Sequence, residues 1–352
     1  MNKDHNNIFG RRLSQARQMK GLSMEGLGSL LTPAVTRQAI NKYEKGQTMP
    51  DSGMLLALGS VLGVKPDYFF RPFTVEVDRV MFRKDSKFPE KKSIAIRERV
   101  REKLERYLEV EQLCGTQSGF TLPSVNISSG EDVTGFANKV RSILKLGIDG
   151  ISNVIGVLED NGIKIIEISE DEFFEGLSGY ANDNIPVIVV NDNLAPERKR
   201  FVLLHELGHL LMKFQSNIKA KELENLCNIF ASELLLPSSV LLSRIGIKRH
   251  DISLAELSDI QKQYGISIDA VMEAMRRLDV ITDRRYEGYL KKKRGFPDFR
   301  AVVEQSMAIR ETTGRFVRMV YRALADEIIS FSKAAVLLNT SVETVKRQLQ
   351  LV

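Results

Sequence analysis

At 352 residues, with 43% hydrophobic and 27% charged residues, the chain has the composition of an ordinary globular protein long enough for two or three domains, which excludes low-complexity and disordered classes. Two cysteines, Cys114 and Cys227, exclude a disulfide framework; no apolar run has the length of a membrane span, and residues 1–20 carry charges where a signal peptide needs an apolar segment, so a cytoplasmic protein without a membrane partner is expected. The formal net charge of +6 is unevenly spread: residues 1–72 hold ten Lys/Arg against five Asp/Glu, and a polyanion partner is expected at that end.

From the N-terminus, residues 8–20 repeat apolar groups at Phe9, Leu13 and Ala16 with basic residues between, which predicts an amphipathic helix stopped at Gly21. Ser23 is placed to cap a second helix, broken at Thr32-Pro33-Ala34. Thr36 can cap a third helix over residues 37–44, ending at Gly46. Ile40 and Tyr43 face inward on it, which leaves Arg37, Gln38, Asn41 and Lys42 outward. Gln and Asn amides bond adenine in bidentate fashion, while Arg and Lys reach guanine or phosphate. Helices at 51–62 and 66–70 complete an all-α five-helix bundle.

Leu13, Arg17, Leu22-Ser23, Leu27, Thr36, Ile40, Tyr43-Glu44-Lys45-Gly46, Pro50 and residues 55–64 resemble the Cro/cI-type (XRE) helix-turn-helix family over about residues 8–70. The resemblance implies a double-stranded DNA operator read by Thr36, Arg37, Gln38, Asn41 and Lys42, and a homodimer, since half-sites come in pairs. The chain departs from the pattern at Thr32 to Val35, where the turn is about two residues longer than the usual 3–4.

Beyond residue 72 the character changes. Val75, Val77 and Phe82 suggest a short strand, and a charged helix follows over 93–113 with Ile96, Val100, Leu104, Tyr107-Leu108 and Glu111 along one line. It reads as a connector, a dimer contact or a solvated helix. Residues 115–132, rich in Gly, Ser and Thr, read as a linker. A second globular unit then begins: helices at 133–146 and 151–160, a turn at Asn161-Gly162, strands at 163–168 and 186–191, and a third strand between them at 177–180.

That sheet leads into Phe201-Val202-Leu203-Leu204-His205-Glu206-Leu207-Gly208-His209. On a helix, His205 and His209 lie one turn apart on one face and can offer two imidazole nitrogens to one metal. Glu206 beside them can hold and deprotonate a water, the division of labour of a zinc peptidase. Only four histidines occur in the chain, which weighs against two core histidines spaced by accident. A catalytic zinc needs a third protein ligand. In the next helix, residues 221–236, Glu224 shares a line with Cys227, Asn228, Ala231 and Leu234-Leu235, the expected buried face, whereas Glu222 and Glu233 point away. The alternative for Glu224 is an exposed rim position at the helix start. Cys227, a lone cysteine, reads as core rather than ligand.

The run from Arg200 to His209, followed by Glu224, Asn228, Phe230-Ala231 and Glu233-Leu234-Leu235-Leu236-Pro237, looks like the ImmA/IrrE family of metallopeptidases over about residues 150–280. The resemblance implies an α+β zincin-like domain with His205, His209 and Glu224 as metal ligands and Glu206 as general base and proton shuttle. Lys213 stands where relatives often carry a further histidine, outside the ligand set. Two histidines and a carboxylate favour Zn2+, and manganese or iron also fit such a set. Tyr180 is a candidate second stabiliser of the oxyanion. In the remaining helical extension, Lys291-Lys292-Lys293-Arg294 reads as a solvated loop, and residues 329–349 scan as a further helix-turn-helix in which packing outweighs DNA contact.

The expected organisation is a multidomain chain: a DNA-binding bundle at 1–72, a connector at 73–130, a metallopeptidase domain at 131–250 and a helical extension at 251–352. The expected function is a transcriptional regulator with a zinc-dependent endopeptidase domain, acting at a phage, mobile-element or stress-response switch by cleaving a repressor or itself. The alternative is a non-proteolytic repressor or antitoxin-like protein whose metallopeptidase fold senses a metal or ligand. An intact Glu206 favours the enzyme, because a sensor has no need of it.

Overall fold

The structure, a computed structural model, describes residues 2–73, 80–82, 89–116, 119–127, 129–171, 173–215, 218–306, 308 and 311–349. The chain packs into two compact units, residues 1–116 with 319–352, and residues 117–318.

The first unit opens with α1 (Asn2–Met19), α2 (Met24–Leu30), α3 (Arg37–Glu44), α4 (Ser52–Leu62) and a 3-10 helix, Pro66–Phe70. The short helices begin at side-chain caps: Ser23, Thr36 and Asp51 accept backbone N–H bonds from Gly26, Ala39 and Met54. Gly63, in the left-handed region, closes α4. Phe9, Leu13, Ala16, Leu27, Ile40, Leu58 and Phe69 are fully buried and form one core. Arg17 ties α1 to α3 through Glu44 at 2.5 Å and 3.0 Å. The fifth element is thus a 3-10 turn rather than an α-helix, consistent with Pro66 at its start.

After β1 (Val80–Phe82) comes α5 (Glu90–Cys114). The expected strand positions Val75 and Val77 lie outside the described residues. Along α5 the predicted line of Ile96, Val100, Leu104, Tyr107, Leu108 and Glu111 is buried, but so are Glu98, Glu105, Arg106 and Glu109. The reason is a buried ionic cluster. Arg12, 1% exposed, donates to Glu105 at 2.6 Å, to Gln15 at 2.8 Å and to the Arg71 carbonyl at 3.1 Å, while Arg71 pairs with Glu102 at 3.0 Å. Burial pushes the Glu102 carboxyl up, but Arg106 and Arg71 outweigh it and hold it below its ordinary value. The helix read from sequence as a connector is therefore fastened to the N-terminal helices, and the compact units cut across the boundaries expected near 73 and 130.

In the second unit β2 (Val125–Ile127) precedes α6 (Gly130–Ile143), which starts at a capping box of Ser129 and Asp132, inside the stretch expected as linker. Then come α7 (Val154–Asp160), β3 (Lys164–Ile168), β4 (Gly176–Ala181) and β5 (Ile185–Asn191). β5 runs parallel to β3 and antiparallel to β4, and Val187 to Val190 are fully buried beneath the helices. Next are α8 (Pro196–Leu211), β6 (Met212–Phe214), which pairs in parallel with β2, and α9 (Ala220–Leu235). The N-terminal half of α8 is anchored by buried charge: Arg200 pairs with Glu311, whose carboxylate also accepts the N–H groups of Val154 and Ile155, and Lys199 pairs with Glu167 at 2.7 Å. That leaves the C-terminal half of α8 to pack on α9.

Five helices follow within this unit: α10 (Ser238–Ile245), α11 (Leu254–Tyr264), α12 (Ile268–Arg277), α13 (Asp283–Gly295) and α14 (Pro297–Glu304). Lys291 to Arg294, expected as a loop, form the last turn of α13; Lys293 bridges Asp269 and Glu304, and Lys292 lies over the Phe299 ring. The chain ends in α15 (Arg315–Ala325), α16 (Phe331–Leu337) and α17 (Val342–Gln348), the last two belonging to the first unit. There the Leu337 carbonyl accepts from Arg106 and Lys333 pairs with Glu109, so α16 packs on α5. Among the described residues no single helix is long and apolar enough to cross a membrane.

Candidate metal centre

α8 and α9 pack closely at Gly208, where a Cβ would meet Met212 Cε at 3.1 Å, Phe230 Cδ1 at 3.2 Å and Cys227 Sγ at 3.5 Å. This close approach brings the imidazoles of α8 against the second and third turns of α9. His205 Nε2 stands 3.1 Å from His209 Nε2 and 3.1 Å from Glu224 Oε2, and His209 Nε2 is 3.5 Å from Glu224 Oε1. Donors bound to one tetrahedral zinc at about 2.0–2.2 Å stand about 3.3–3.6 Å apart. The donor set, two imidazole nitrogens and a carboxylate converging on one point, fits zinc.

The outer nitrogens of both rings are also engaged. His205 Nδ1 lies 2.9 Å from Asn228 Oδ1, an acceptor that would hold the ring proton on Nδ1 once a metal takes Nε2. His209 Nδ1 lies 3.3 Å from Cys227 Sγ. Hydrogen bonds from His205 first, then His209, hold the Glu224 carboxyl well below the usual carboxylate range, so it is an anion at neutral pH.

Glu206 points to the other side of the site. It is 9% exposed, and its Oε2 accepts from Ser178 Oγ at 2.7 Å. Ser178 sits on β4 because Gly176, two residues earlier on the same strand face, lets the strand lie on α8: a Cβ there would meet Val202 Cγ1 at 2.6 Å.

Two sequence expectations are corrected here. Glu224 is not on a buried face: its side chain is 53% exposed, at the rim where α9 begins, and it meets the histidines from there. Glu233, expected to point away from the buried face, is 1% exposed and accepts from Arg277 and Ser238. A buried carboxylate needs such partners, and they come from α10 and α12.

Family comparison matches two segments of the chain. Residues 158–276 match the model described as IrrE N-terminal-like domain, and residues 13–69 match a helix-turn-helix model. The chain joins a helix-turn-helix domain to an IrrE-like domain. The SPbeta prophage-derived uncharacterized HTH-type transcriptional regulator YonR of Bacillus subtilis is 35% identical over 71 residues, 20% of this chain and 64% of that protein. The radiation response metalloprotease IrrE of Deinococcus deserti is 27% identical over 106 residues, 27% of this chain and 32% of that protein. The chain thus spans about two thirds of the first relative and one third of the second. Among solved structures, Bacillus thuringiensis PlcR in complex with the peptide PapR7 and DNA aligns over 97% of this chain and 99% of that one, with 13% identity and a TM-score of 0.18, a likeness too slight to carry an argument.

In the IrrE-like domain, Tyr180 donates to the Leu210 carbonyl at 3.4 Å, which commits its hydroxyl to the end of α8, and burial raises its pKa. Lys213 is exposed on β6. In the helix-turn-helix domain, Thr36, Arg37, Gln38 and Lys42 are exposed on α3 and Asn41 is half-buried; the Thr36 hydroxyl oxygen is also the helix cap. Sequence reasoning missed Ser178, which no local pattern marks. It also missed the contacts of Asn228 and Cys227 with the histidines, although Asn228, four residues after Glu224, shares its helix face.

Proposed function

We propose that the chain is a cytoplasmic, homodimeric, DNA-binding transcriptional regulator whose IrrE-like domain is a zinc-dependent endopeptidase. It acts at a phage, mobile-element or stress-response switch by cleaving a repressor or itself. The observation that carries the reading is the convergence of His205, His209 and Glu224 on one point, with Glu206 next to His205 on the same helix. The names of the IrrE relatives support a metalloprotease, and the helix-turn-helix match supports an operator read by Thr36, Arg37, Gln38, Asn41 and Lys42.

Zinc held by His205, His209 and Glu224 would supply Lewis-acid activation of water and of a peptide carbonyl. Asn228 and Cys227 fix the two rings through their Nδ1 atoms. Glu206 takes the proton from the attacking water and returns it to the leaving amine, while Ser178 sets the rotation of its carboxylate. Glu224 brings negative charge and leaves one side of the cluster open to solvent for a polypeptide to approach.

The test compares wild type with Glu206→Gln in cells, reading new protein N-termini by mass spectrometry and promoter output together. New termini in a regulator, or in this chain, present with wild type and absent with the variant are expected, with zinc content equal in both. If the variant regulates its promoter like wild type and no terminus differs, the chain is instead a sensor and the endopeptidase reading is lost.

A further inference from the structure

α13 lies beyond residues 158–276 and in neither matched segment, and its charge is segregated. Tyr286, Tyr289 and Leu290 pack against the core of their unit, and Lys293 on the same side is committed to Asp269 and Glu304. At about 100° per residue, the opposite half of the helix carries Arg284, Arg285, Lys291, Lys292 and Arg294, with no apolar side chain among them. Asp251 accepts from Arg285 and also lies in the field of Lys292, and Asp283 pairs with Arg276 at 3.3 Å. Glu287 is the carboxylate left on the arc itself. Among the described residues Arg284 and Lys291 have no partner, and Arg294 is held only through Nε, which donates to the Leu290 carbonyl at 3.3 Å.

Helix stability does not account for this arc. Cations in the last turn complement the helix dipole, but Arg284 stands in the first turn, where the dipole disfavours a cation. Gly288 and Gly295 lie on the same arc, and a Cβ at either would meet nothing within 4 Å, so the surface between the cations is open to close approach. A membrane-binding helix needs an apolar row beside its basic face, and a protein partner needs an aromatic or apolar centre to its patch; the arc has neither. A duplex backbone asks only for positive charge along a line. The 13 residues of α13 span about 20 Å, and a duplex carries one negative charge per about 1.7 Å of its axis. We propose that the exposed arc of α13 is a second DNA contact of this chain, sequence-independent and made to phosphates by Arg284, Lys291, Lys292 and Arg294. It is separate from the base reading assigned to α3, and it puts the unit that holds the metal cluster on DNA through its own charge.

The experiment titrates the full chain with a fluorescent duplex of random sequence and reads anisotropy over a range of salt concentrations. Arg284→Gln, Lys291→Gln and Arg294→Gln, all at exposed positions, are combined in one variant. Its plot of log affinity against log salt is expected to be shallower than wild type by about 2–3, since each phosphate contact contributes about 0.9 to the slope, and its affinity near 0.15 M salt to be about 10–100-fold lower. Glu287→Gln removes the carboxylate of the arc and is expected to tighten duplex binding about two- to fivefold, a gain that damage to the fold does not produce. An unchanged slope in the triple variant overturns the proposal; should that variant melt early, Glu287→Gln decides alone, and no gain overturns it. The same titrations with polyglutamate and with phosphatidylserine vesicles test the other anionic partners: loss of either in the triple variant with duplex binding intact gives the arc to that partner and overturns the DNA contact. Adding Gln38→Ala and Asn41→Ala is expected to leave the slope difference in place. If that pair does not alter operator preference, the base-reading role of α3 fails while the α13 contact stands.

Discussion

Asn228→Ala removes one atom contact whose consequence is calculable. With a metal on Nε2, His205 carries its proton on Nδ1 and donates it to Asn228 Oδ1 at 2.9 Å. A neutral hydrogen bond of this kind contributes about 1 kcal/mol net, which is about fivefold in affinity. Removal of an orienting partner of a metal-bound histidine costs about 10–100-fold because the ring is also freed to rotate. Asn228 is exposed, so water can take over the acceptor role, and the lower end applies: zinc affinity should fall about tenfold. Competition with a chelating dye at neutral pH measures it. Unchanged affinity would refute the orienting role, and a loss beyond about a thousandfold would mean that Asn228 is itself a ligand.

Further outcomes follow from other contacts. Ser178→Ala should lower kcat by about tenfold with zinc content unchanged, because the 2.7 Å bond it removes is made to a charged carboxylate; loss of zinc instead would show a purely structural role. Gln38→Ala with Asn41→Ala should erase about 1–3 kcal/mol of operator preference per lost base contact while leaving non-specific binding intact, as read by gel shift against a scrambled site. Glu159 has its pKa raised to about 7, chiefly by burial, and its Oε1 has no hydrogen-bond partner among the described residues. The folded state therefore binds the extra proton between the ordinary value of 4.5 and about 7, and stability falls as pH rises through that window. Glu159→Gln should flatten this slope in thermal melts at pH values on either side of the window; a slope equal to wild type would assign it to other groups.

Some of this organisation was legible in the sequence. Caps at Ser23 and Thr36 punctuate short helices at fixed offsets, and the spacing of His205 and His209 is a local property of one helix. Helical phase also singled out Glu224, and the structure sets it 3.1 Å from His205. The environment inferred for it failed, since phase orders residues around an axis but does not say how far along it the neighbouring helix extends. α9 overhangs at its start, so Glu224 is exposed, whereas Glu233 is covered by Arg277, 44 residues away. The same limit applies to α5. Its charged residues looked solvated because the partner of Glu105 is Arg12, 93 residues earlier. Ser178 was invisible for a related reason: a serine on a strand acquires its role only when Gly176 lets α8 come close.

The central claim is that one metal sits on His205, His209 and Glu224 with Glu206 outside the ligand set. X-ray absorption at the zinc edge, on wild type and on Glu224→Ala, tests it most directly. The expected wild-type spectrum has two imidazole nitrogens at about 2.0–2.1 Å, carboxylate oxygen at about 2.0–2.2 Å and no sulfur, and the variant loses the carboxylate while Glu206→Gln changes nothing in the first shell. A zinc–sulfur distance of about 2.3 Å would make Cys227 a ligand and contradict the account, as would a spectrum that Glu224→Ala leaves unchanged.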